Sequence, residues 1–141
     1  MDYDSIFWKV VRGEYPLPNA ATLLGWKFIA YDKLKGQAHI EFNANASLTN
    51  PLGTIQGGML SAMLDDCMGP AVYANLSDPL VAVTVELKTH FVKPASPGKI
   101  NGCGWIVQKK DSTCITAGQL TDSDGNILAT ATAIYRIVRS R

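Results

Sequence analysis

A chain of 141 residues with 13 Lys plus Arg against 12 Asp plus Glu carries a net charge of +1, so no whole-domain field draws nucleic acid or a membrane surface, and an anionic ligand must meet a local cluster. Hydrophobic residues make up 47% and charged residues 18%, against about 25% charged in ordinary soluble domains; the length suits one domain over residues 1–141, and the charge-poor surface suits burial in an oligomer. The opening MDYDSIFWKVVRGEYPLP lacks a basic start followed by an apolar core, no run approaches the ~18 apolar residues of a membrane span, and Cys67, Cys103 and Cys114 show no metal or redox spacing, so the expectation is a cytoplasmic protein with buried free thiols.

Residues 1–22 read as an N-terminal helical segment, in which DSIFWKVVR places Ile6, Phe7, Val10 and Val11 at helical spacing before Gly13, Pro16 and Pro18 end the helix. GWKFIAYDK and QAHIEFNA then alternate as two strands joined by a turn at LKG. SLTNPLGTIQGG is a loop, followed by a central helix over residues 57–75 in which Pro70 is expected to introduce a kink. The run VAVTVELKTHFVKP puts Val81, Val83, Val85, Leu87 and Phe91 on one face and Thr84, Glu86, Lys88 and His90 on the other, predicting a long half-buried strand. GKINGCGWIVQKKD, STCITAGQLTD and NILATATAIYRIVR follow as three more strands, with SDGN as a hairpin turn before the last. The order implies an α+β fold, an antiparallel sheet curled around the central helix.

That helix is apolar on every side, from Met59 to Tyr73, except for two adjacent carboxylates, Asp65 and Asp66. Ionised acids are almost never buried without partners. The plain reading of each is a carboxylate satisfied by hydrogen bonds at a helix-to-sheet or subunit contact. The helix start offers a second reading: Gln56, Gly57 and Gly58 stand where free backbone N–H groups meet the positive end of the helix dipole, and glycine lets a ligand approach them. Such a pair alone is ordinary N-terminal geometry, but with a buried acid it suggests acyl transfer around an oxyanion site. Asp65 lies seven residues beyond Gly58, so at 1.5 Å of rise per residue about 10 Å separates them. An acid that must come within about 3.5 Å of the carbonyl carbon therefore meets the glycine donors of a second copy.

These residues resemble the hotdog-fold acyl-CoA thioesterases, in particular the PaaI-like branch. The likeness covers nearly the whole chain and rests on Asn50 with Gly53, Gly57 and Gly58, Asp65, TVELKTHFVKPASPG and DGNILATATA. It implies a hotdog fold, a homodimer joined sheet edge to sheet edge with two sites at the interface, and in many relatives a homotetramer built as a dimer of dimers. It also implies Asp65 as nucleophile or general base, the Gly57 N–H as the carbonyl-polarising donor, Asn50 as the amide that orients water and Thr84 as the hydroxyl on the facing strand. Asp66 has no counterpart. Where this branch often carries His, the chain has Gln56, whose amide can donate to a thioester oxygen but cannot titrate near neutrality.

The expected reaction is hydrolysis of a small-molecule acyl-CoA thioester to free acid and CoA, with no cofactor beyond the coenzyme A of the substrate, no metal, no nucleic acid and no membrane. Gly58 joins Gly57 on the substrate side. Lys93, Lys99, Lys109 and Lys110 are candidates for the CoA phosphates, or else a solvated basic surface. His39 and His90 read as strand-surface residues, and Trp8, Trp26 and Trp105 as packing or the wall of an acyl pocket. Two rival readings are a hotdog enoyl-CoA hydratase, which would be expected to place a His on the central helix, and a noncatalytic acyl-CoA binding domain. A transcriptional sensor of that kind would need a DNA-binding segment, for which about 20 residues before the first strand leave no room.

Overall fold

The computed structural model describes residues 1–140. Two short helices, α1 (Ile6–Val11) and α2 (Asn19–Leu24), precede strands β1 (Lys27–Asp32) and β2 (Gln37–Ala44). The central helix α3 (Gly57–Tyr73) follows, and β3 (Leu80–Phe91), β4 (Gly98–Lys110), β5 (Thr113–Thr121) and β6 (Ile127–Arg139) complete the chain. The strands form one sheet of six, in the order β1-β2-β4-β5-β6-β3, with every neighbouring pair antiparallel. This is the expected α+β hotdog architecture.

The sheet wraps α3, whose Leu60, Met63, Leu64, Cys67, Met68, Ala71 and Val72 are buried. The close fit depends on two inward positions of β4, where a Cβ on Gly102 would collide with the Cys67 thiol and one on Gly104 with the Cys67 carbonyl. Pro70 lies inside α3, and the helix runs through it to Tyr73.

The N-terminal segment departs from expectation. It holds two helices and reaches Leu24, two residues beyond the predicted bound. Pro18 stands at the N-cap of α2, and Gly25, with φ 67°, takes the left-handed position at its end. In α1 the residue that buries is Trp8, whose indole N–H donates to the Ala74 carbonyl at 3.2 Å, while Ile6 of the predicted stripe is 52% exposed.

β3 is an edge strand, and the single apolar face predicted for it is broken by a bulge. Its register against β6 slips between Thr84 and Glu86, and one extra residue in a strand exchanges its inner and outer faces. Ala82 is buried and Thr84 meets α3 before the bulge; Leu87 packs on the core and Thr89 meets Ser61 after it. Val83 and Val85 remain 45% and 55% exposed.

Candidate active site

Asp65 sits in the middle of α3, half-buried under β3 and β6. Its Oδ1 accepts a hydrogen bond from Thr84 Oγ1 at 3.0 Å and a short one from the Tyr135 hydroxyl. Of the residues expected at the site, the fold thus joins Asp65 and Thr84 directly. Tyr135 escaped sequence reading: in NILATATAIYRIVR only strand alternation marks it as inward-facing, after Ala129, Ala131 and Ala133. Burial above all, with the Asp65 charge beside it, pushes the Tyr135 phenol far above its ordinary range, so it acts as a donor.

Asp66 points elsewhere on the helix and receives no hydrogen bond to its side chain among the described residues, although its backbone carbonyl accepts from the Trp26 indole at 2.9 Å. Burial, and secondarily the neighbouring Asp65, raise its carboxyl from 3.8 to about 6. Both acids border a cavity of about 450 Å³ between α3, β3 and the N-terminal helices, with a largely apolar wall that includes Phe7, Val10, Trp26, Tyr73 and Val81. Its size and composition are those of a small-molecule pocket.

The other half of the expected chemistry lies at the start of α3. Gln56 is its N-cap and makes no side-chain capping bond. The N–H groups of Gly57 and Gly58 precede the first intrahelical bonds, which are made by Met59 and Leu60 to the Gln56 carbonyl, so both are available to an acceptor. Asn50 organises the loop before the helix: its side-chain oxygen accepts from the N–H groups of Leu52 at 2.9 Å and Thr54 at 3.2 Å, and its amide donates to Thr54 Oγ1 at 2.9 Å. One amide hydrogen is left over. Eight residues along α3 separate Gly57 from Asp65, about 12 Å of rise.

The four lysines do not gather in one place. Lys99 pairs with Glu41 at 3.2 Å and Lys93 with Asp122 at 3.7 Å, whereas Lys109 and Lys110 are exposed at the far end of β4, some 30 Å of strand away from Lys99. Trp26 lines the cavity beside Asp65, Trp8 is packed in the core, and Trp105 and His39 border a polar depression on the opposite face of the sheet. No group of His, Cys, Asp and Glu among the described residues is arranged to hold a metal ion, and no helix among them is long and apolar enough to cross a membrane.

Comparison with known proteins identifies the family. The family model described as Thioesterase superfamily matches residues 52–129, which include the start of α3, both aspartates and Thr84. The structure of a phenylacetic acid degradation-related protein from Ralstonia eutropha JMP134 is 36% identical, with a TM-score of 0.88 over 94% of this chain and 98% of that one. A Bacillus halodurans protein solved with CoA is 26% identical, with a TM-score of 0.80 over 94% of this chain and 87% of its own. The E. coli PaaI protein from the phenylacetic acid degradation operon shares the fold, with a TM-score of 0.80 over 94% of this chain and 93% of its own at 18% identity. The chain belongs to the thioesterase superfamily, as a PaaI-like hotdog thioester hydrolase.

Proposed function

We propose that the enzyme hydrolyses acyl-CoA thioesters to a free acid and CoA, at sites that two copies of the chain complete. The observation that carries this reading is the separation along α3 of free N–H donors at Gly57 and Gly58 from a half-buried acid at Asp65. Donors and acid about 12 Å apart on one helix serve one carbonyl when they come from different chains. β3 offers the means of pairing, since it is an edge strand with exposed Val83 and Val85 and an open row of backbone groups. Further pairing of dimers into a tetramer extends the same proposal.

In the assembled site the thioester oxygen accepts from the Gly57 N–H, with Gly58 beside it and the Gln56 amide as a further donor. One oxyanion donor is commonly worth about 3 kcal/mol. The partner's Asp65 either attacks the carbonyl carbon, expelling the CoA thiolate and leaving a mixed anhydride for water to cleave, or takes a proton from the water that attacks directly. Thr84 holds the acid, and the remaining amide hydrogen of Asn50 orients the water. The apolar cavity beside Asp65 receives the acyl group. The bound CoA in the Bacillus halodurans relative supports a CoA-linked substrate, whose phosphates would draw on the exposed Lys109 and Lys110. Three unpaired cysteines fit a reducing cytoplasm.

The test is a panel of aromatic and aliphatic acyl-CoA thioesters followed by released thiol, with Asp65→Asn as the control. Turnover of at least one member by the wild type, and its loss in the variant with CoA binding retained, supports the reading. Hydrolysis by Asp65→Asn at the wild-type rate removes Asp65 from the mechanism, and no hydrolysis of any member leaves a binding domain.

A further inference from the structure

Thr84 and Tyr135 are partners across the β3–β6 ladder, and both hydroxyls converge on the same oxygen, Oδ1 of Asp65. Oδ2 accepts no hydrogen bond among the described residues. We infer that Tyr135 is a positioning residue: together with Thr84 it clamps one carboxylate oxygen of Asp65, so that the other is the oxygen presented to the thioester carbon or to water. The use of that oxygen rests on the acyl-CoA reading above; the clamp itself does not.

The surroundings are built for this contact. Tyr135 is 2% exposed, and its hydroxyl also lies 3.2 Å from the Asp65 backbone carbonyl, so the phenol is placed against the helix backbone as well as the acid. One turn along α3 stands Gly69, where a Cβ would come to 3.9 Å from the ring; no side chain at that position reaches between phenol and carboxylate. On β6 the preceding inward positions are Ala129, Ala131 and Ala133, small residues that let the strand approach the helix, and the first large inward side chain after them is the one that reaches the acid.

The clamp also separates two neighbouring acids. Asp65 has two hydroxyl donors and Asp66 has none, although both border the same cavity. Tyr135 and Thr84 thus fix the orientation of Asp65 and leave that of Asp66 unclamped. The titratable groups that feel the Asp65 charge are Asp66, Cys67 and Tyr73 on α3 and Tyr135 on β6; from β3 the contact is the neutral Thr84.

Tyr135→Phe removes the donor and keeps the ring. With the acyl-CoA the wild type turns over fastest, kcat is expected to fall about 10- to 100-fold, the cost of a misplaced reacting group, with KM changed less than about twofold. Independently of turnover, a crystal structure of the substrate-free variant is expected to show the ring in place and the Asp65 carboxylate rotated or in more than one orientation. An Asp65 carboxylate that keeps its wild-type orientation in the variant overturns the clamp, whether kcat falls or not, because a fall alone then reflects packing. Full activity of Asp65→Asn would remove Asp65 from catalysis while the structure of Tyr135→Phe still decides whether Tyr135 holds it, so the two failures are told apart.

Discussion

The ring of Phe91 lies against Gly57, its Cζ 3.3 Å from where a Cβ on that glycine would stand. The end of β3 therefore sits beside the free N–H groups that open α3. Gly57→Ala requires the ring to give way by a few tenths of an ångström, which Phe91, 52% exposed, can do. Unfolding free energy should change by less than about 1 kcal/mol, whereas turnover should fall at least about tenfold as the methyl group and displaced ring crowd the thioester oxygen. Denaturant titration alongside steady-state kinetics separates the two effects, and an equal loss in both would place the glycine in folding rather than in oxyanion binding.

Asp66 gives a pH-dependent stability with a definite sign. Its carboxyl titrates at about 6 in the folded chain instead of 3.8, so between those values the folded state holds a proton the unfolded state has released, and stability falls as pH rises through this window. Asp66→Asn should match the wild type below about pH 4 and exceed it above about pH 6, by at most about 3 kcal/mol. Urea midpoints at pH 4 and pH 8 measure this, and a variant stabilised equally at both would show that ionisation of Asp66 is not the source.

Gly104→Ala tests the contact between β4 and α3. The new methyl group would overlap the backbone of Cys67 and Met68, which cannot rotate aside as a side chain can. The expected loss is at least about 3 kcal/mol, read as a lower urea midpoint or failure to fold. Gly58→Ala, where nothing lies within 4 Å of the added Cβ, is the control and should fold normally.

The open edge of β3 predicts the assembly. Introducing Lys at Val83 or Val85, 45% and 55% exposed, should block strand pairing between copies, shifting sedimentation velocity from dimer to monomer and abolishing thioester hydrolysis while the circular dichroism spectrum is retained. An active monomer would show that one chain holds a complete site.

Much of this organisation could be read from residue order, and the exceptions have physical reasons. The helix carrying Asp65 and the glycine start are contiguous in the chain, so spacing alone sets them about 12 Å apart. Thr84 and Asp65 were linked through family likeness, and the fold brings them within hydrogen-bond distance. Tyr135 was missed because it lies 70 residues from its partner, and nothing in a strand of alternating Ala, Thr and Ile announces which distant acid it will meet. α2 escaped because six residues, NAATLL, are too few to establish a helical period. The face of β3 was misread because a bulge leaves no mark in an alternating run of valines and charges.

Thr84 and Thr89 stand five positions apart, an odd interval that in an uninterrupted strand puts them on opposite faces. The extra residue at the bulge brings both onto α3, one to the acid at its middle and the other to Ser61 near its beginning. A single strand thereby meets the helix at both places from one side. Its reading frame is as constrained as that of a coding sequence: removing Val85 together with the bulge would leave the two threonines four positions apart and still on one face, whereas keeping Val85 in a regular ladder would turn one of them outward.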